Sequence, residues 1–241
     1  MPKDIIYSIV LPAYNESMII SSSIDRVHSF FRSLKKPFEI IVADDGSSDN
    51  TSDIVRSKMK KFKELKLFSN DKNQGKGSVL SGSLPLAKGR IVAFIDADLA
   101  IDINLFNEMI KSIDDGFDIV IASKHLKNSE VEYSFLRSVF SHCYAFTARI
   151  VLGVDIKDYQ CGFKAFNKKV LSSVLPLVKS KSWSWDTEFL VKASWLGFRI
   201  KELPAKVVDV GRKSKVHPFR DTKNFGLELF KLFKEKKSFR K

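Results

Sequence analysis

Cysteine is nearly absent: Cys143 and Cys161 are the two in 241 residues. Two thiols cannot build a disulfide framework, and they lack the paired spacing of a structural metal site, so reduced thiols and an apolar core are expected. Long apolar runs are missing too. No stretch of about 18 residues is free of charge, which excludes a bilayer-spanning helix within this sequence and leaves peripheral membrane contact. The opening Met1-Pro2-Lys3-Asp4 has neither the basic region nor the apolar stretch of a secretory signal, so a cytoplasmic location is expected. Acidic residues are the scarcer charge, 28 against 41 basic, for a net +13. That balance favours anionic partners: nucleic acid, phosphorylated ligands or anionic lipid headgroups. The excess is uneven, with eleven basic residues against three acidic ones from Arg212 to Lys241.

What is present is a 44% hydrophobic chain, enough for one sizeable core. We expect a main domain over residues 1–216 and a basic amphipathic tail over 217–241. Apolar runs at 5–11, 38–43, 65–69, 90–95, 118–122 and 199–203 read as strands, and 158–166 as a strand and turn. Between them, helical spacing covers 16–34, 48–62, 76–87, 104–113, 135–152, 168–177 and 186–196. This alternation predicts an α/β fold, a mostly parallel sheet with helices on both faces and ligands at the carboxyl ends of its strands.

Acidic clusters fall at those ends. Asp44-Asp45 and Asp96-Ala97-Asp98 each follow an apolar strand directly, so folding brings both to one rim. Two carboxylates in an Asp-x-Asp turn can share one hard cation, which Mg²⁺ or Mn²⁺ would bridge to phosphate oxygens. Such turns are also common as solvated loops and caps. Ser48 or Asp49 suits a helix cap, whereas Asp44 is an acceptor suited to the donors of a nucleobase or ribose. Asn73-Gln74-Gly75-Lys76-Gly77 opens a helix, with Lys76 placed for an anion, although the spacing is not that of a Walker loop.

In order, Pro12-Ala13-Tyr14-Asn15-Glu16, Asp44 to Thr51, Asn73 to Gly77 and Asp96-Ala97-Asp98-Leu99 strongly resemble the inverting family 2 glycosyltransferases, which have the GT-A (Rossmann-like) fold. Asp158 to Lys164 and Trp185-Asp186-Thr187-Glu188 look like the branch that makes dolichyl-phosphate mannose and dolichyl-phosphate glucose. The resemblance covers residues 5 to 216. It implies that Pro12, Ala13, Tyr14, Glu16, Val42, Asp44 and Asp45 line the nucleotide pocket and that Asp96 and Asp98 hold the metal around Ala97. It also implies that Lys76, Lys124, Arg212 and Lys215 offset donor phosphate charge, and that Arg137 and Ser141 hold an acceptor phosphate. Two departures stand out. Ala100 replaces a Gln that often adds a metal ligand, and Lys124 replaces an Arg, which loses bidentate geometry.

The activity implied is transfer of a hexose from UDP-glucose or GDP-mannose to dolichyl or polyprenyl phosphate, forming a lipid-linked sugar for protein glycosylation or glycan assembly. A phosphate nucleophile has a second pKa near 6 and needs positioning rather than a strong base. Were the acceptor a sugar hydroxyl, as in soluble members of the family, a carboxylate base would be required. Asp158, Asp186 and Glu188 are its candidates, with Trp183 and Trp185 as a sugar platform or as core. The tail, with Phe225, Phe230 and Phe233 among lysines, suits a helix on a membrane surface or one packed on the domain. A membrane-embedded partner is a second way to reach the lipid. A non-catalytic basic nucleic-acid-binding module is the alternative of another class, and no aromatic RNA-binding motif or zinc-finger spacing supports it.

Overall fold

The computed structural model describes residues 4–131, 135–207, 226, 229–236 and 239, with 135–140 described through their helical backbone. The apolar runs form β1 (Tyr7–Ala13), β2 (Phe38–Asp44), β3 (Leu65–Ser69), β4 (Ile91–Ile95), β5 (Ile119–Ser123), β6 (Phe163–Asn167) and β7 (Ile200–Pro204). They make one seven-stranded sheet of order β3-β2-β1-β4-β6-β5-β7. All neighbours are parallel except β6, which runs against both β4 and β5.

β1, β4 and β5 carry no charged residue because both faces of the sheet are covered there. Alternate residues serve different cores. Ile9 and Leu11 of β1 face α1 (Ile20–Ser33), α2 (Thr51–Met59) and α4 (Leu105–Asp114), through Ile24, Phe31, Val55 and Phe106. Val10 faces the other core, where α3 (Lys76–Ser83), α5 (Phe135–Leu152), α6 (Lys168–Val174) and α7 (Trp185–Trp195) contribute Leu80, Ala148, Val170 and Trp185. Pro12 sits in a central strand without breaking it. Pairing of β1 with β4 ends at Val10, so the missing N–H lies beyond that ladder.

Several elements are shorter than the periodicity predicts, for local reasons. The first helix starts at Ile20 rather than near Glu16, because the Asn15, Glu16 and Ser17 N–H groups donate to Ser47, Thr51 and Asp49. The expected helices 76–87 and 168–177 tighten into 3-10 turns at Leu84–Leu86 and Leu175–Leu177. Pro85 and Pro176 have no N–H to continue an α-helix. Of the expected segment 158–166, only Phe163 onward is strand.

The tail packs back on the domain where it is described. Residues 229–236 are helical, with Leu229 and Leu232 buried in the second core and Glu235 bonded to Lys179 and Lys192, each at 2.9 Å. Phe230 and Phe233 point outward, 56% and 44% exposed. Among the described residues, no helix is long and apolar enough to cross a membrane.

One buried polar cluster ties three strand beginnings together, at the end of the sheet away from the acidic turns. Glu39, 1% exposed, accepts from Ser8 Oγ and Lys88 N, each at 2.6 Å, and pairs with Lys66; Ser8 Oγ in turn accepts from Gly89 N at 2.7 Å. Burial pushes the Glu39 carboxyl up, but these donors outweigh it and leave its pKa below the usual value. A carboxyl lowered on folding stabilises above its unfolded pKa, and that contribution fades as pH falls through the folded one. Glu39→Ala is therefore expected to cost about 3 kcal/mol in urea unfolding at neutral pH, with a smaller difference from wild type in acid. A neutral-pH loss under about 1 kcal/mol would contradict the role given to this cluster.

Candidate active site

The four acidic and glycine-containing motifs of the first half stand at the carboxyl edge of the sheet. Residues 12–16 end and follow β1, Asp44-Asp45 end and follow β2, the 70–77 loop follows β3 and Asp96-Ala97-Asp98 follow β4. The order in which successive strands are laid down reverses between β1 and its parallel neighbour β4, and a crevice at such a switch point is where open α/β sheets bind ligands. The antiparallel β6 begins at the same rim. Phe163 pairs with Ile95, so Cys161 and Gly162 lie against the acidic turn.

The turn is held from three sides. Asp96 N donates to Gly162 O at 2.9 Å, Leu99 N donates to Asp96 O at 2.9 Å, and the buried Ser23 Oγ of α1 donates to Ala97 O at 2.6 Å. Leu99 adopts φ 47°, a left-handed conformation that costs a branched residue energy and persists because its surroundings impose it. Gly162 leaves room for the Asp96 carboxylate: a Cβ at that position would lie 2.0 Å from Asp96 Oδ2. Ala100 contributes its backbone, donating to Asp98 Oδ1 at 3.1 Å.

Burial pushes the Asp98 carboxyl up, and the negative charges of Asp96 and Glu16 push it further; the Ala100 N–H and Lys76 only partly counter this. Mutually repelling hard oxygen donors at a rim fit a divalent cation such as Mg²⁺ or Mn²⁺. Among the described residues, no group of three or more His, Cys, Asp or Glu could hold a metal. A cation held by Asp96 and Asp98 alone would take most of its coordination sphere from ligand and water.

Lys76 links this pair to the interior. Its Nζ lies 2.6 Å from Asp96 Oδ1 and 4.0 Å from Asp186 Oδ2, and its side chain is 10% exposed. Burial alone would lower its pKa, but Asp96 and Asp186 reverse that and hold the ammonium charged. Behind it, Asp186 Oδ1 pairs with Lys164 Nζ at 2.6 Å, both buried. Lys164 was missed as a site residue by sequence reasoning. A lysine between Phe163 and Ala165 in an otherwise apolar buried strand was the available signal.

Several expected site residues have partners within the protein. Asp45, expected at the nucleotide, accepts from Asn70 Nδ2 at 2.8 Å, Gln74 N at 2.9 Å and Gly75 N at 2.7 Å, which pins the 70–75 loop to β2. Asp44 is 1% exposed and accepts from Ser47 and Ser52. Val42 lies in the core rather than at a surface. Asp49, not Ser48, bonds the start of α2. Burial would raise its pKa, but donors from Thr51 and Ser17 hold it at about 2. Pro12 is half-buried and Ala13 buried, while Tyr14 is exposed and Glu16 half-buried beside Asp98.

The sugar platform is corrected for Trp185, which is fully buried, stacks on Phe189 at 4.9 Å and donates from Nε1 to Ser81. Trp183 is 38% exposed, with Lys76 Nζ 5.4 Å from its ring centre. The three carboxylates considered as bases are buried and internally bonded. Asp158 accepts from Lys124 N at 3.0 Å, and Asp186 pairs with Lys164. Glu188 accepts from Lys179 N, Ser180 N and Lys192, closing the loop before α7. Burial pushes the Cys161 thiol up to about 12, so it is no nucleophile at neutral pH.

On the far side of the rim, Lys124 is 19% exposed with Nζ 3.9 Å from Asp158. Ser141, on α5, hydrogen-bonds His125. Arg137 is on α5 with its side chain outside the described residues, as are Arg212 and Lys215.

A family model described as glycosyl transferase family 2 matches residues 8–175. Glycosyltransferase AglD of Haloferax volcanii is 31% identical over 229 residues, covering 93% of this chain and 36% of AglD. A dolichyl-phosphate beta-glucosyltransferase of Dictyostelium discoideum is 30% identical over 246 residues, covering 96% of this chain and 75% of that protein. Glucosyl-3-phosphoglycerate synthase of Mycobacterium tuberculosis, solved with Mn²⁺, uridine diphosphate and glucosyl-3-phosphoglycerate, superimposes with a TM-score of 0.67. It covers 96% of this chain and 79% of its own at 22% identity, a likeness of fold.

The close approach of Gly162 to Asp96 gives a direct test. Gly162→Ala is expected to displace the Asp96 carboxylate and weaken Mn²⁺ binding, read by paramagnetic resonance with uridine diphosphate present, by about 10–100-fold. Wild-type affinity in the variant would show that Asp96 holds no ion.

Proposed function

The chain belongs to glycosyl transferase family 2, and from that membership we propose that it transfers a hexose, with inversion, from a nucleoside-diphosphate sugar to dolichyl or another polyprenyl phosphate. The observation that carries this reading is similarity along nearly the whole chain to a dolichyl-phosphate beta-glucosyltransferase. It coincides with a rim where two carboxylates and a buried lysine meet. Glucose from UDP-glucose is the sugar this similarity favours over mannose from GDP-mannose.

Asp96 and Asp98 would hold Mg²⁺ or Mn²⁺ together with the donor's diphosphate and water, and the bound ion supplies charge to stabilise the leaving diphosphate. Lys76, held charged beside Asp96, stands ready to offset the same phosphates. Lys124, Arg212 and Lys215 add to that offset. Arg137 and Ser141 orient the acceptor phosphate, whose oxygen attacks the anomeric carbon as the diphosphate leaves. Two anionic reactants must meet, so positioning and charge neutralisation are the protein's main contribution.

A phosphate acceptor also suits the carboxylates. Asp158, Asp186 and Glu188 are buried and bonded to protein donors, which disfavours their use as a base for a sugar hydroxyl. The outward Phe230 and Phe233, beside exposed Lys231 and Lys234, suit peripheral contact with the cytoplasmic face of a membrane, where a polyprenyl phosphate is reached.

Labelled UDP-glucose or GDP-mannose, incubated with Mg²⁺ or Mn²⁺ and dolichyl phosphate, tests the reading. Lipid-linked glucose is expected, lost on chelation and reduced at least about 100-fold by Asp98→Ala. No lipid-linked product with either donor would overturn it.

A further inference from the structure

Ser141 meets a histidine rather than solvent. The His125 ring places Nε2 at 2.9 Å from Ser141 Oγ and Nδ1 at 2.6 Å from the Lys157 carbonyl oxygen. A carbonyl oxygen only accepts, so Nδ1 carries a hydrogen and donates it. In the neutral ring Nε2 is then a bare acceptor. The Ser141 hydroxyl must give its one hydrogen to the ring, leaving only oxygen lone pairs for any other partner. Lone pairs repel a phosphate oxygen.

Protonation reverses the bond. With a hydrogen on both ring nitrogens, Nε2 donates to Ser141 Oγ, and the hydroxyl hydrogen is free to point at an anion. One proton from solvent converts the serine from a group that repels phosphate into one that binds it. We propose that His125 is a proton-dependent positioning residue, setting which way the Ser141 hydroxyl points and so whether that serine can hold the acceptor's phosphate. The inference rests on the acceptor reading above and names a residue that reading does not include.

The surroundings poise the ring for this. Burial disfavours its charged form, as do His142, stacked at 4.0 Å, and Lys124 on its own loop, while Asp158 and the Lys157 carbonyl favour it. Behind them, Glu202 of β7 accepts from Lys157 N and Asp158 N and fixes that loop. From α5, Arg149 and Cys143 line a cavity of about 410 Å³ together with His125, His142, Phe146 and Lys157; Arg149 also pairs with Asp155. The balance leaves the imidazole neutral at rest. A phosphate arriving at Ser141 adds negative charge and favours proton uptake, so acceptor binding and protonation assist one another.

The test is the KM for a short-chain polyprenyl phosphate between about pH 6 and 9 at saturating UDP-glucose. Wild-type KM is expected to climb towards about tenfold per pH unit above the titration of the ring. His125→Gln keeps a polar group but cannot titrate. It should show a raised KM in acid and less than about a twofold climb across the range, with only the phosphate's own ionisation near pH 6 remaining. Ser141→Ala should flatten the profile in the same way, which decides the matter should glutamine not fit at 125. Calorimetry of acceptor binding in buffers of different ionisation enthalpy should find proton uptake in the wild type, less in Ser141→Ala and none in His125→Gln. Transfer with parallel pH profiles in wild type and variants overturns this inference alone. Absence of any transfer to polyprenyl phosphate by the wild type overturns the acceptor reading and this inference with it.

Discussion

Lys76 holds a position that no lysine would adopt without its neighbours. It is almost buried, touches Asp96 at the rim, and is backed by Asp186, itself paired with the fully buried Lys164. Charges of alternating sign thus run from the surface inward. Removing one member leaves another uncompensated in low dielectric, at a cost of about 3–5 kcal/mol, so each constrains its neighbours. The glycine opening of α3, the beginning of β6 and the first turn of α7 are all fastened to this series. Its outer end is the acidic turn on which the proposed chemistry depends.

The rest of the rim is densely hydrogen-bonded within itself. Asp45 spends its oxygens on the 70–75 loop, Asp49 on the strap between residues 17 and 51, and Ser23 on the carbonyl of Ala97. Asn15 and Leu99, both at positive φ, sit beside these bonds, so the backbone after β1 and after β4 is held where few residues rest willingly. Such preorganisation is what charge stabilisation of a leaving diphosphate requires, since donors and carboxylates need not move during the reaction.

The proposed acceptor side is tied across separate segments. His125, Ser141 and Lys157 meet through three different segments, the loop after β5, α5 and the loop before β6, and the contact is a short relay of hydrogen bonds. The C-terminal helix buries Leu229 and Leu232 and leaves Phe230 and Phe233 outward. Packing on the domain and presenting an apolar face to a surface are therefore compatible, because the two pairs of residues lie on adjacent faces of one helix, about 100° apart.

Alternation of apolar runs with helical spacing was legible in the chain, as was the arrival of the acidic clusters at strand ends, because both depend on local pattern and on the rule that parallel strands place their carboxyl ends together. The same local pattern put Asp96 and Asp98 together in one turn after a strand. Which carboxylates face a ligand and which serve the frame was not legible, since Asp44, Asp45, Asp158, Asp186 and Glu188 look alike in sequence and differ only in the donors that folding brings to them. The reversal of β6, Lys164 behind Asp186, and His125 against Ser141 likewise join residues 16 to 22 or more positions apart through long-range packing. Local sequence determined the elements and the chemistry available at the rim; only the tertiary structure decided the partners, because burial and hydrogen bonding are properties of neighbours that the chain acquires on folding.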